Sequence, residues 1–226
     1  MGFISSVRIA AGSGSAVLKW LRSAPEQVMS RYGFVCRGGA LNLLTGNTCS
    51  ISCKKANGGY ILNVDPNGAG DYFFPYRADR ALHCDVPKGL PDGTLVVTFG
   101  MNGCALEVHG GLRHNRFYHD ADGKVLQGER EAKCRVTREM YEGPGAAAEA
   151  LHCSIPNGMY LDPMVGGVAQ GNFEHTLVCV KKDGVWHVYQ TAVVSKDNVL
   201  PGFKKGEPTL QHVKDGPPLL VGMFAD

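Results

Sequence analysis

Residues 94–122 read TLVVTFGMNGCALEVHGGLRHNRFYHDAD. The first eight are apolar and β-branched, the pattern of a buried strand. Asn102-Gly103 follows, and both residue types tolerate positive φ, so the pair predicts a hairpin turn. Cys104 opens a second strand to about His109, Gly110-Gly111 breaks it, and NRFYHD, residues 115–120, predicts a third. A three-strand meander would carry Cys104 on a tight turn and bring His119 within its reach. An imidazole beside a thiol favours the thiolate and can hand a proton to a leaving group. Backbone N–H groups at Gly103 and Cys104, on such a turn, are candidates for holding an oxyanion.

Working outward, 226 residues allow one large β-rich domain or two small ones. We expect a single domain over 1–226, with 1–32 as a helical cover or appendage. Charge is balanced, 23 basic against 21 acidic residues, with none of the clustered basic surface that marks nucleic-acid binding. No apolar run reaches the length of a membrane span. Thirty glycines and twelve prolines favour short strands and many turns.

Residues 1–32 predict two helices. Ser23-Ala24-Pro25-Glu26 has the pattern of a capping box at the second. Gly2 with Ser6 fits a myristoylation pattern of low specificity. Strands are expected over 40–44, 48–54 and 60–64. DYFFPY, residues 71–76, predicts an edge strand or irregular segment whose aromatics wall a cleft or plug the core. Beyond the central stretch, 133–138 predicts a strand, 146–153 a short helix and 155–171 a long loop. Residues 174–180 and 185–194 form the clearest hairpin, with one face expected in the core. Two last strands are expected at 209–213 and 219–224.

The eight cysteines lie in a chain whose first residues lack the basic start and long apolar run of a signal peptide, so free thiols are expected. Cys49 and Cys53, His83-Cys84 and His152-Cys153 lack zinc-knuckle spacing. His109, His114 and His119 recur every five residues, which keeps to no single face. No metal site is expected. With eight cysteines and eight histidines, one pair fifteen residues apart arises readily by chance, and a free cysteine is often a small core hydrophobe. Spacing alone therefore favours a core cysteine.

The same stretch resembles the catalytic segment of the cytotoxic necrotizing factor and Burkholderia lethal factor family of glutamine deamidase toxins. The matching residues are Thr98, then Met101-Asn102-Gly103-Cys104, then Phe117-Tyr118-His119-Asp120. Met101 stands where the family has leucine, and Asn102 where it has serine. The match covers about thirty residues. The resemblance implies an α+β fold, a β-sandwich of two mixed sheets flanked by helices. It implies Cys104 as nucleophile, His119 as its base, and the Thr98 backbone carbonyl as the group orienting His119. It implies a hydrolase that converts a protein glutamine to glutamate through a thioester, with no cofactor. As a bacterial virulence effector, it would leave the bacterial cytoplasm without a cleaved signal peptide and act in the host cytosol. Its substrate would be a host GTPase or translation factor. The same Cys–His dyad would also serve a transglutaminase, a cysteine peptidase or a chemotaxis-type deamidase. A non-enzymatic β-sandwich binding module, immunity protein or adaptor is the reading from a different class.

Overall fold

In the computed structural model the described residues are 12–38, 46–101, 103–126, 131–142, 172–196, 209–212 and 219–226. The predicted strand at 40–44, helix at 146–153, loop at 155–171, residue Asn102 and the Gly2/Ser6 pattern lie outside them.

Helix α1 (Gly14–Ser23) starts at Ser13, whose hydroxyl accepts from the Ala16 N–H. It buries Val17 and Leu21, one turn apart. Helix α2 (Pro25–Met29) has proline in its first turn, where a missing N–H costs nothing. The expected capping box is absent. Because α1 runs through Ser23, that hydroxyl bonds back to Lys19 and Trp20, and Ala24 becomes the cap.

Nine of the described strands make one large mixed sheet. Strands β1 (Gly33–Gly38), β2 (Asn47–Ala56), β3 (Gly59–Asp65) and β4 (Asp71–Phe73) come first. Strand β5 (Ala81–Pro87) leaves for a second sheet, and β6 (Leu95–Val97) returns to the first. Strands β7 (Ala105–Gly110), β8 (His114–Asp120) and β9 (Cys134–Val136) then join β5. Strands β10 (Asn172–Lys182), β11 (Val185–Lys196), β12 (Thr209–His212) and β13 (Leu220–Ala225) complete the large sheet. Its order is β1-β3-β2-β4-β6-β10-β11-β12, with β13 also on β11. Pairs β1/β3 and β4/β6 are parallel. The small sheet, β5-β8-β7-β9, is antiparallel at every pairing, so only one of the two sheets is mixed.

The large sheet is covered on both faces. Leu95, Val97, Val178 and Val180 point into one core with α1 and α2, which contribute Val17, Leu21, Val28 and Met29. Their neighbours Val96, Leu177 and Cys179 point into a second core against Val86, Leu106, Val108 and Phe117 of the small sheet. The hairpin β10/β11 was expected to bury one face; it buries both, with Trp186 and Val188 in one core and Tyr189 in the other. That double burial explains its unbroken apolar runs. DYFFPY is neither edge nor irregular at its start. Its strand β4 lies between β2 and β6 and stops two residues before Pro75, so no ladder bond is lost. Where Asn57-Gly58 turns β2 into β3, a Cβ on Gly58 would sit 2.0 Å from the Leu210 carbonyl. Only glycine permits that approach.

The meander of three strands does not form. Residues 95–97 belong to the large sheet, and β7 and β8 to the small one. The Asn102-Gly103 region is therefore a crossover between sheets. No helix of the described residues is long and apolar enough to cross a membrane.

Candidate active site at the sheet crossover

The crossover is pinned at several points. The Met101 N–H donates to the His175 carbonyl on β10 at 2.8 Å, and the Cys104 N–H to the Met101 carbonyl at 2.9 Å. The second bond closes a four-residue turn whose third position, Gly103, has φ 86°, as a type II turn requires there. The Tyr141 hydroxyl reaches the same Met101 carbonyl and, at 2.7 Å, the Cys104 carbonyl. Tyr141 belongs to α3 (Arg138–Glu142) and is fully buried. It therefore clamps both ends of the turn that carries the cysteine. Nothing within the 94–122 stretch announces Tyr141, because its partners lie 37 and 40 residues away.

Register then decides what lies beside Cys104. Leu106 on β7 pairs with His119 on β8. Side chains alternate along a strand, so Leu106, Phe117 and His119 share the face that looks toward the large sheet. Cys104, Leu106 and Phe117 lie in one core cluster. Ala105 pairs with Asp120, so the residues beside that pair, Cys104 and His119, lie at the start of β7 and the end of β8. His109 pairs with Arg116 and bonds to Glu107, and His114 lies beside Asp85. Those two histidines take no part in the Cys104 site. Among the described residues, no group of three or more His, Cys, Asp or Glu side chains is placed to hold a metal ion. The seven described cysteines are free thiols.

Thr98 meets His119 as expected, but through a different atom. Its side-chain hydroxyl, not its backbone carbonyl, lies 2.7 Å from His119 Nδ1. The same hydroxyl donates to the Phe74 carbonyl at 2.8 Å. A threonine hydroxyl has one proton to give. With that proton on Phe74, the oxygen accepts from His119, which assigns the imidazole proton to Nδ1 and the lone pair to Nε2. Nε2 is buried and has no hydrogen-bond partner among the described residues.

Burial dominates the electrostatics. It holds the His119 imidazole down to about 3. It pushes the Cys104 thiol up to about 11, opposed by the Asp122 backbone N–H and reinforced by the Asp122 and Asp120 charges. The resting pair is thus a thiol and a neutral imidazole, not the thiolate–imidazolium pair expected from the residue types. Asp122 sits in the 3-10 turn Ala121–Gly123 with φ 56°, a left-handed conformation uncommon outside glycine. Asp120 anchors that turn by accepting from the Val125 and Leu126 N–H groups at 3.0 and 3.1 Å. Of the expected oxyanion donors, the Cys104 N–H is engaged in its turn and Gly103 is the positive-φ residue of that turn; Asn102, the other turn residue, lies outside the described residues. The Asp122 N–H favours the Cys104 thiolate, an influence that the spacing of the motif did not reveal.

No model of a known protein family matches this chain, and no curated protein matches it.

Proposed function

We propose that this chain is a cysteine-dependent protein glutamine deamidase, a bacterial toxin or effector that converts a glutamine of a host protein to glutamate. One observation carries the reading: the orphaned, lone-pair-bearing Nε2 of His119 lies on β8, which pairs with β7 from the residue next to Cys104 onward. A buried acceptor without a partner costs about 1–3 kcal/mol, and a waiting proton explains why such a group is kept.

The chemistry follows from the resting protonation states. Cys104 sulfur attacks the carboxamide carbon, and its proton passes to His119 Nε2. The Asp122 N–H, which favours the Cys104 thiolate, supports the sulfur as it becomes charged in the attack. Imidazolium returns the proton to the leaving nitrogen, and ammonia departs as the thioester forms. Nε2 then takes a proton from water as it attacks, glutamate forms and the thiol is restored. The balance is glutamine plus water to glutamate plus ammonia. An amine in place of that water would make the same site a transglutaminase. A GTPase or a translation factor is the substrate class that the family resemblance adds.

A second reading draws on the same burial: a thiol pushed to about 11 suits an inert core cysteine in a binding module. Mass spectrometry of host-cell lysate treated with the wild type, Cys104→Ser or His119→Ala separates the two. The deamidase produces Gln-to-Glu changes that both variants lose. A Cys104→Ser variant as active as the wild type would sink the mechanism. Iodoacetamide labelling of Cys104 no faster than that of the other cysteines would favour the binding module.

A further inference from the structure

The two reacting side chains are closed off from solvent: Cys104 is 4% and His119 0% exposed. Tyr76 stands over them. Its ring centroid lies 4.8 Å from that of His119, while Phe74 flanks the same imidazole at 6.1 Å from deeper in the core. Burial raises the Tyr76 phenol, and the Cys104, Asp122 and Asp79 charges raise it further. Yet Tyr76 is itself 43% exposed.

The two aromatics are held very differently. The Phe74 backbone is fixed on both sides, its N–H to Val97 and its carbonyl to Thr98. Pro75 then ends the ladder and restricts the backbone. Among the described residues Tyr76 has no hydrogen-bond partner, and it meets His119 through ring contact. Tyr76 follows β4 and belongs to neither β4 nor β8.

We propose that Tyr76 is the gate of the Cys104 site, turning outward to admit an unbranched carboxamide side chain and then lying along its methylenes. This rests on the deamidase reading for the identity of the substrate. A glutamine stem is narrow and flat enough to lie beneath an aromatic face, and its three carbons reach a recessed sulfur better than the shorter asparagine. Branched side chains are excluded by the same ring. Between turnovers the ring shields the imidazole from bulk water.

The test needs no substrate. Second-order labelling rates at Cys104 are measured with iodoacetamide and with the bulkier N-cyclohexylmaleimide, by peptide mass spectrometry, on wild type, Tyr76→Ala, Tyr76→Phe and Tyr76→Trp. Tyr76→Ala should accelerate iodoacetamide roughly two- to tenfold, the range one aromatic contact controls, and the maleimide by a larger factor. Tyr76→Phe should match wild type, and Tyr76→Trp should slow both reagents. An equal acceleration of both reagents in Tyr76→Ala would mean altered thiol acidity and overturn the gate. So would unchanged rates, or a Cys104 that neither reagent labels in any variant. Should Tyr76→Ala fail to fold, Tyr76→Trp decides alone, with unchanged rates overturning the proposal. A working gate without Gln-to-Glu conversion in lysate defeats only the deamidase reading, and conversion without a gate defeats only this one.

Discussion

The Thr98 hydroxyl stands between two partners, 2.8 Å from the Phe74 carbonyl and 2.7 Å from His119 Nδ1. One side chain thus ties a residue of β8 in the small sheet to the end of β4 in the large one. It also selects the imidazole tautomer. Thr98→Val keeps the shape and removes the acceptor, leaving Nδ1–H buried without a partner. Turnover should fall about 10- to 100-fold, the usual effect of losing an orienting group, and stability by about 1–3 kcal/mol. Thr98→Ser should retain most of both. Nitrogen chemical shifts of His119 would report the tautomer directly, and an unchanged Nδ1–H form in Thr98→Val would contradict the assignment.

Stability should fall on both sides of neutrality. Burial lowers His119 to about 3 and His175 to about 4. Between those values and 6.5 the unfolded chain binds protons that the folded chain does not, so stability rises with pH across that window. The slope should approach about 1.4 kcal/mol per pH unit for each histidine. On the alkaline side burial raises Cys104 and Cys134 to about 11. Folding therefore keeps protons that the unfolded chain loses above about 9, and stability drops as pH rises from there. Urea midpoints across pH 4–10 check both limbs. His119→Gln should flatten the acid limb and leave the alkaline limb in place.

Tyr141→Phe removes one hydroxyl from between the Met101 and Cys104 carbonyls. With those buried acceptors losing a donor, stability should drop by about 1–3 kcal/mol. The turn carrying Cys104 is loosened as well. Turnover should decline with little change in KM, since Tyr141 is fully buried. A Tyr141→Phe protein that is less stable but fully active would make Tyr141 a structural residue only.

Lys181 lies 3% exposed on β10, paired with Asp226, whose carboxylate also accepts from Trp186 Nε1 at 2.8 Å and the Gly89 N–H at 3.0 Å. Burial raises Asp226, but the bonds from Lys181, Gly89 and Trp186 outweigh it and hold the carboxyl below its ordinary value. Asp226→Ala strands a buried ammonium and should cost about 3–5 kcal/mol. Replacing both partners, Lys181→Met with Asp226→Leu, should recover most of that. Denaturant unfolding of the two variants measures the difference.

Strand content, the β2/β3 and β10/β11 hairpins and the final strand at 220–225 were legible because local signals carry them: alternation, β-branching and Gly-containing turns. Strands β1 and β5 were not read, since FVC and ALHCDV are too short and mixed to stand apart from loops. The face pattern of 185–194 was misread for a related reason. Sequence alternation shows polarity, and it does not show that helices would cover one side of the sheet and a second sheet the other.

The sequence by itself determined that Cys104 lies on a glycine turn and that His119 lies in a strand, while Thr98 was drawn to them only by the family resemblance. The first two assignments depend on residues close in the chain, where turn chemistry and strand period act directly. Only the tertiary structure decided that the turn crosses between sheets, that Thr98 acts through its hydroxyl, and that Tyr76, Asp122 and Tyr141 complete the surroundings. It also decided the protonation of the pair. Burial, not residue type, keeps His119 neutral and Cys104 a thiol, and burial arises from packing between elements that no local pattern records.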